Sequence, residues 1–230
     1  MELTVLGKYG PYGKAGVGAA SGYLICEGKF KMLADMGSGV LSRLINTVDV
    51  RELSGIYVSH LHYDHTSDLL PFRYLLEELE HPIKIYTHFE DSAWFDILFN
   101  HPLFETINID EDTVINTDGV KLSFYKMDHP VTDYAVRFDG KNSSLLYTGD
   151  TRFTEEIIRA GKGCDVILAD CSKPKEFIGG HMPASYAIEI RERTGARVIA
   201  THLAPEYAPY EIFAGRDGIE IAEEGKTYII

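Results

Sequence analysis

Between positions 59 and 65 the chain reads Ser-His-Leu-His-Tyr-Asp-His, which puts His60, His62, Asp64 and His65 within one short stretch. Imidazole nitrogen suits zinc and its borderline neighbours, and carboxylate adds charge and a harder oxygen. A lone histidine would carry no such reading, because most are surface or core residues. Four metal-competent side chains packed together do carry it. Two ions held close together can share a hydroxide and polarise a scissile ester from both sides. The chemistry to expect is metal-assisted hydrolysis.

Such a site needs rigid elements behind it. Residues 55–59 form a short, buried-type strand pattern that delivers the chain to His60. The arrangement recurs. His129 follows a strand pattern at 120–127, Asp150 one at 145–147, and His202 one at 198–200. Further strands are predicted at 3–6, 83–87, 134–138, 166–169 and 226–230, and at 22–26 and 30–34, joined by a tight turn at Glu27-Gly28. Helical spacing covers 39–48, with Val40, Leu41, Leu44 and Ile45 on one side, and then 68–79, 92–99 and 183–193, the last opening on Pro183. Strands interleaved with helices in both halves imply sheets flanked by helices, without strict βαβ alternation. The Gly-rich stretch 7–22 has neither a dinucleotide fingerprint nor a phosphate-loop ending, so it reads as a flexible loop near the substrate.

Nothing divides the chain, so residues 1–230 are expected to form a single domain. At 45% hydrophobic and 25% charged it has the composition of an ordinary globular protein. The formal net charge of −13, with no Lys/Arg cluster, disfavours a large nucleic acid held over a broad surface. Three cysteines, Cys26, Cys164 and Cys171, make an odd set without C-x-x-C spacing, which fits small buried residues in a reducing compartment. The first residues lack a basic segment followed by an apolar run, and no apolar stretch is long enough to span a bilayer. A cytoplasmic protein without membrane contact is expected.

His60-x-His62-x-Asp64-His65, after a strand and before a helix, resembles the signature of the metallo-β-lactamase superfamily. Downstream, Asp128-His129-Pro130, Tyr147-Thr148-Gly149-Asp150-Thr151 and Thr201-His202-Leu203 resemble that family's remaining ligand segments in order. The resemblance covers nearly the whole chain. It implies an α+β fold, the four-layer αβ/βα sandwich of two β-sheets flanked by helices. It also implies two divalent metal ions per chain, with zinc expected and manganese or iron as alternatives. His60, His62 and His129 would hold one ion, Asp64, His65 and His202 the other, and Asp150 would bridge them. Asp64 would in addition orient the attacking hydroxide. A homodimer is compatible with the resemblance.

Within the superfamily, Gly149-Asp150-Thr151-Arg152 and Gly180-His181-Met182-Pro183-Ala184 resemble the ribonuclease Z-like branch, which cleaves phosphodiesters. An aspartate at position 150 argues against lactam hydrolysis. The likeness makes His181 a general acid toward the leaving oxygen. Two departures qualify it. Ala169-Asp170-Cys171-Ser172 stands where the branch tends to carry His-Glu-Ala-Thr, which leaves Asp170 to orient His181. No long Gly- and Lys-rich insertion of the kind that clamps tRNA is present. The expected substrate is therefore a small nucleotide or phosphodiester metabolite. The alternatives are tRNA 3′ processing, glyoxalase II-like thioester hydrolysis and, last, a non-enzymatic metal-binding module. Asp68 is expected as a helix cap or a partner behind the ligands, and Arg152 as a phosphate contact or a salt bridge. Trp94, Phe95, Phe99 and Phe104 read as core or as a lid over the site.

Overall fold

Alternation of side chains along a strand assigns each residue to one of two faces, and here both faces are apolar. In Gly22–Glu27, Tyr23 and Ile25 join one buried cluster while Leu24 joins another. In Ser144–Tyr147, Leu145 and Tyr147 face one way and Leu146 the other. Strands buried on both faces must lie between two layers, and that requirement produces the sandwich.

The computed structural model describes residues 1–173, 179–206, 211–213 and 215–230. One seven-stranded sheet runs β14 (Thr227–Ile229), β1 (Glu2–Gly7), β2 (Gly22–Glu27), β3 (Phe30–Ala34), β4 (Gly55–Tyr57), β5 (Ile83–Thr87) and β6 (Phe104–Asn108). The other runs β13 (Ile219–Ile221), β12 (Arg197–Thr201), β11 (Val166–Asp170), β10 (Ser144–Tyr147), β9 (Tyr134–Asp139), β8 (Val120–Lys126) and β7 (Val114–Thr117). Each sheet is antiparallel on one side and parallel on the other, with β3 to β6 parallel in the first and β10 to β13 parallel in the second.

Between the sheets, Tyr23, Ile25, Phe30 and Tyr57 meet Leu122, Phe124, Phe138 and Tyr147. Phe30 and Phe138 pack edge-to-face with ring centroids 6.1 Å apart, and Tyr57 stacks on Phe124 at 5.8 Å. Helices α1 (Val40–Thr47), α3 (Leu69–Leu79) and α4 (Ala93–Phe99) cover the outer face of the first sheet, and α5 (Glu155–Gly161) and α6 (Tyr186–Thr194) that of the second. A single-turn helix, α2 (Tyr63–Thr66), lies in the segment between β4 and α3. Phe138 has no exposed surface, so Phe138→Ala should cost about 3–5 kcal/mol by urea unfolding. A loss under about 1 kcal/mol would mean that the inter-sheet layer is loosely packed.

Several sequence expectations need correction. The helix predicted over 183–193 starts at Tyr186, because Pro183 forms an isolated bridge with Lys173 and the Ala184 amide donates to Lys173 O. Ile45 is 53% exposed, so the α1 stripe is narrower than its apolar spacing suggests. Five elements had no clear pattern: β6, β7, β13, α2 and α5. The three strands are sheet edges with half-exposed faces, and the two helices are only four and seven residues long. Among the described residues no helix is long and apolar enough to cross a membrane.

Candidate metal centre

The strands that end on one side of the sandwich carry the polar residues of the sequence signature. His60 follows β4, His129 follows β8, Asp150 follows β10 and His202 follows β12 directly. His62 stands just before α2, which holds Asp64 and His65. Potential ligand atoms gather in three groups, with the atoms of each within 4.8 Å of one another: the two ligand sets His60–His62–His129–Asp150 and Asp64–His65–Asp150–His202, and a smaller group, Asp150–Asp170–His181. Asp150 belongs to all three.

Hydrogen bonds on the far side of each ring fix which nitrogen faces inward. His60 Nδ1 lies 2.8 Å from Asp133 Oδ2, and His129 Nδ1 donates to Gly180 O at 2.8 Å. Their Nε2 atoms are thus left as lone pairs. They lie 2.9 and 3.3 Å from His62 Nδ1. Burial lowers the pKa of His60 and His129, and pushes His62 down to about 4. Neutral imidazoles with converging lone pairs make a donor set that fits a cation.

The second set rests on a deeper network. His65 Nδ1 lies 2.7 Å from Asp35 Oδ2, a carboxylate that also accepts from the Ser59 amide, the Ser59 hydroxyl and the Tyr147 hydroxyl. Burial opposes a charged His65, but Asp150, Asp64 and Asp35 outweigh it and raise its pKa. His65 Nε2 is 3.3 Å from Asp150 Oδ2 and 3.6 Å from Asp64 Oδ2. His202 Nδ1 is 3.1 Å from Ser21 Oγ and 3.2 Å from Asp150 Oδ1. His65 Nε2, His202 Nε2 and Asp150 Oδ1 are all buried, and none has a hydrogen-bond partner among the described residues. Such an omission is costly in a dry interior. Its concentration at one point is what a bound cation would repair.

Asp35, Asp133 and Ser21 were not anticipated from the sequence. Each is a single polar residue far along the chain from the histidine it holds, and no local spacing marks it. Asp35 and His202 both adopt left-handed backbone, with φ of 59° and 53°, a strain that clusters at functional sites. Gly149, at φ 60°, is where a Cβ would approach Asp133 Oδ1 to 2.4 Å. Asp35→Ala would strand four donors at once. It should cost at least about 3 kcal/mol and lower metal affinity about 10–100-fold, as read by chemical unfolding and by metal titration.

His181 enters the same cleft from the loop before α6. Its Nδ1 is 2.9 Å from Asp170 Oδ2 and 3.7 Å from Asp150 Oδ2. Burial works against its charge, but Asp170 prevails and lifts it to about 9. The cleft, about 330 Å³, is lined by Pro11, His62, Tyr63, Asp64, Asp150 and His181. The Gly-rich segment thus borders the site through Pro11, and a Cβ on Gly10 would lie 2.0 Å from the His202 ring. Asp68 caps neither the cluster nor its own helix: its Oδ2 accepts from the Leu41 amide at the start of α1, at 2.9 Å. Arg152 pairs with Asp128 at 2.9 Å and donates to Gly179 O. Phe99 and Phe104 are core, while Trp94 is only partly buried.

A family profile described as Beta-lactamase superfamily domain matches residues 33–203. The probable metallo-hydrolase YhfI of Bacillus subtilis (strain 168) is 32% identical over 213 residues, 88% of this chain and 87% of its own length. The crystal structure of that metallo-beta-lactamase fold protein superposes with a TM-score of 0.91 over 99% of this chain and 98% of the other. Ribonuclease Z of Saccharolobus solfataricus is 24% identical over 242 residues, 80% of this chain and 82% of its own. A diphosphatase of the PhnP family shares the fold at a TM-score of 0.81 and 18% identity, covering 99% of this chain and 96% of its own. With the profile covering all the ligand-like segments and the strand before each, β4, β8, β10 and β12, and with YhfI alike over 88% of the sequence and 99% of the fold, the chain belongs to the metallo-β-lactamase superfamily, as a metallo-hydrolase with ribonuclease Z among its relatives.

Proposed function

We propose that this protein is a phosphodiesterase, a single-domain enzyme acting on a small nucleotide or a phosphodiester metabolite. The observation that carries the reading is His181, held by Asp170 at 2.9 Å and lining the same cleft as Asp64 and Asp150. His60, His62, His129 and Asp150 would hold one divalent ion and Asp64, His65, His202 and Asp150 the other, with zinc expected from the imidazole-rich set. Such ions, when bound, supply Lewis-acid charge to phosphoryl oxygens and acidify water.

The chain's own groups do the rest. Asp64 lines the cleft and offers a carboxylate that can orient the attacking water and accept its proton. His181, oriented through Nδ1 by Asp170, can turn Nε2 to the departing oxygen and donate its proton there. Asp170 is itself held by the Thr151 and Ser172 amides, at 3.1 Å each, so it acts as a positioning residue. A cleft of about 330 Å³ and a net charge of −13 favour a small diester over tRNA.

Metal-reconstituted protein should be assayed on bis-p-nitrophenyl phosphate, beside a glutathione thioester and a precursor tRNA. Turnover of the diester above the other two supports the reading. Full metal loading with turnover only of the thioester or only of the tRNA would replace it.

A further inference from the structure

Beside the cleft lies a second pocket, also about 330 Å³, lined by Leu61, His62, Tyr63, Glu90, Trp94 and Val131. His62 and Tyr63 belong to both, so the two cavities share a wall. Two of its walls are aromatic. The Trp94 indole is pinned by its Nε1–H, which donates to Leu61 O at 2.9 Å, and Tyr63 meets it edge-to-face at 4.9 Å. Tyr63 is nevertheless 69% exposed. An aromatic ring left open to solvent beside a reactive cleft is a stacking surface.

The pocket's charged group is Glu90. The Ser92 hydroxyl donates to one of its carboxylate oxygens, and the other lies 3.5 Å from Nε2 of the buried His88. A carboxylate there repels an anionic substituent and favours one that carries hydrogen-bond donors. His181 lines the cleft but not this pocket. Across the site the rings run in order: His181 to His129 at 5.4 Å, then His129 to His62 at 5.1 Å, then the pocket wall. A diester whose leaving oxygen sits at His181 therefore directs its other substituent toward Tyr63 and Trp94.

We propose that this pocket selects the substrate by stacking the retained substituent, a planar nitrogen heterocycle with an amino group turned to Glu90, on the exposed Tyr63 ring, with its edge toward Trp94. The chemical class is an amino-bearing nucleobase. The inference rests on the phosphodiesterase reading only for which substituent enters the pocket.

Trp94 is the sole tryptophan of the sequence, which makes the pocket its own reporter. Metal-loaded protein is titrated with adenosine 5′-monophosphate, inosine 5′-monophosphate and ribose 5-phosphate, following calorimetric affinity and tryptophan emission. The adenine nucleotide should bind about tenfold or more tighter than the bare sugar phosphate, in the range for one base stacked on an aromatic ring, and only the nucleotides should change the emission. Tyr63→Ala should erase most of that gain, and Glu90→Gln should bring the inosine nucleotide level with the adenine one. Equal affinities for nucleotide and sugar phosphate, an unchanged emission, or a gain that survives Tyr63→Ala would each overturn the proposal. A base preference in a protein that cleaves no diester would sink the phosphodiesterase reading alone. Diester cleavage without a base preference would sink the pocket alone.

Discussion

Replacing His181 with alanine should cut kcat by about 10²–10⁴-fold on a diester that releases an alkoxide, while the metal content stays that of the parent. The reason lies in the geometry. His181 touches Asp170 at 2.9 Å and stands 3.7 Å from Asp150, nearer to its carboxylate partner than to the ligand cluster. Removing it leaves all seven ligand-type side chains in place. A poor leaving group needs a proton as its bond to phosphorus breaks, whereas p-nitrophenolate departs readily as the anion. The same variant should therefore lose less than about tenfold on a p-nitrophenyl diester, since general acid catalysis contributes only where the leaving group is basic. Asp170→Asn should show the same leaving-group dependence at smaller size, because it weakens the hold on His181 without removing the imidazole. A uniform loss across leaving groups, or a fall in metal content equal to the fall in rate, would assign His181 to holding the centre together instead.

How far the sequence could be read depended on distance along the chain. His60, His62, Asp64 and His65 fall on one loop and one helical turn, so their spacing alone gathers them. The strands that deliver Asp150 and His202 are buried on both faces and show it in short apolar runs, whereas the strand before His129 shows itself by alternation, Val120, Leu122 and Phe124 being buried between more exposed neighbours. The groups that hold the ligands are another matter. Asp133 bonds to His60 from a distance of 73 positions along the chain, and Asp35 reaches His65 and Tyr147 only because β3, β4 and β10 end near one another. Their carboxylates are indistinguishable in sequence from the surface acids that make up most of the −13 charge. Asp68 shows the opposite failure. Its position before a helical pattern predicts a cap for α3, yet its carboxylate caps α1, because the turn after α2 brings the two helix starts together. Three of the four edge strands, β6, β7 and β13, stayed unread because each is only three to five residues long, too short for a period-two pattern to stand out.

Asp150→Ala should do more damage than any other single change in the site. Asp150 is the one residue shared by both ligand sets, with one oxygen 3.2 Å from His202 and the other 3.3 Å from His65 and 3.6 Å from His60. Burial works against its charge, but His202, His65 and His60 hold its carboxyl well below the usual range, so it is the anion on which the surrounding imidazoles depend. Without it, the first set would keep three imidazoles and no carboxylate, and the second would keep Asp64 as its one anion. Activity should fall at least about 10³-fold, the equivalent of several kcal/mol of lost charge stabilisation, and bound metal should drop from about two ions per chain to one or none. Stability gives an independent readout. Ions that bind only the folded chain raise its melting temperature by mass action, so chelation should lower Tm of the parent by about 10 °C. In Asp150→Ala the same chelator should shift Tm far less, because there is little left to remove. If the variant keeps a full complement of metal and the full chelation shift, Asp150 does not bridge, and the two ligand sets work as separate sites.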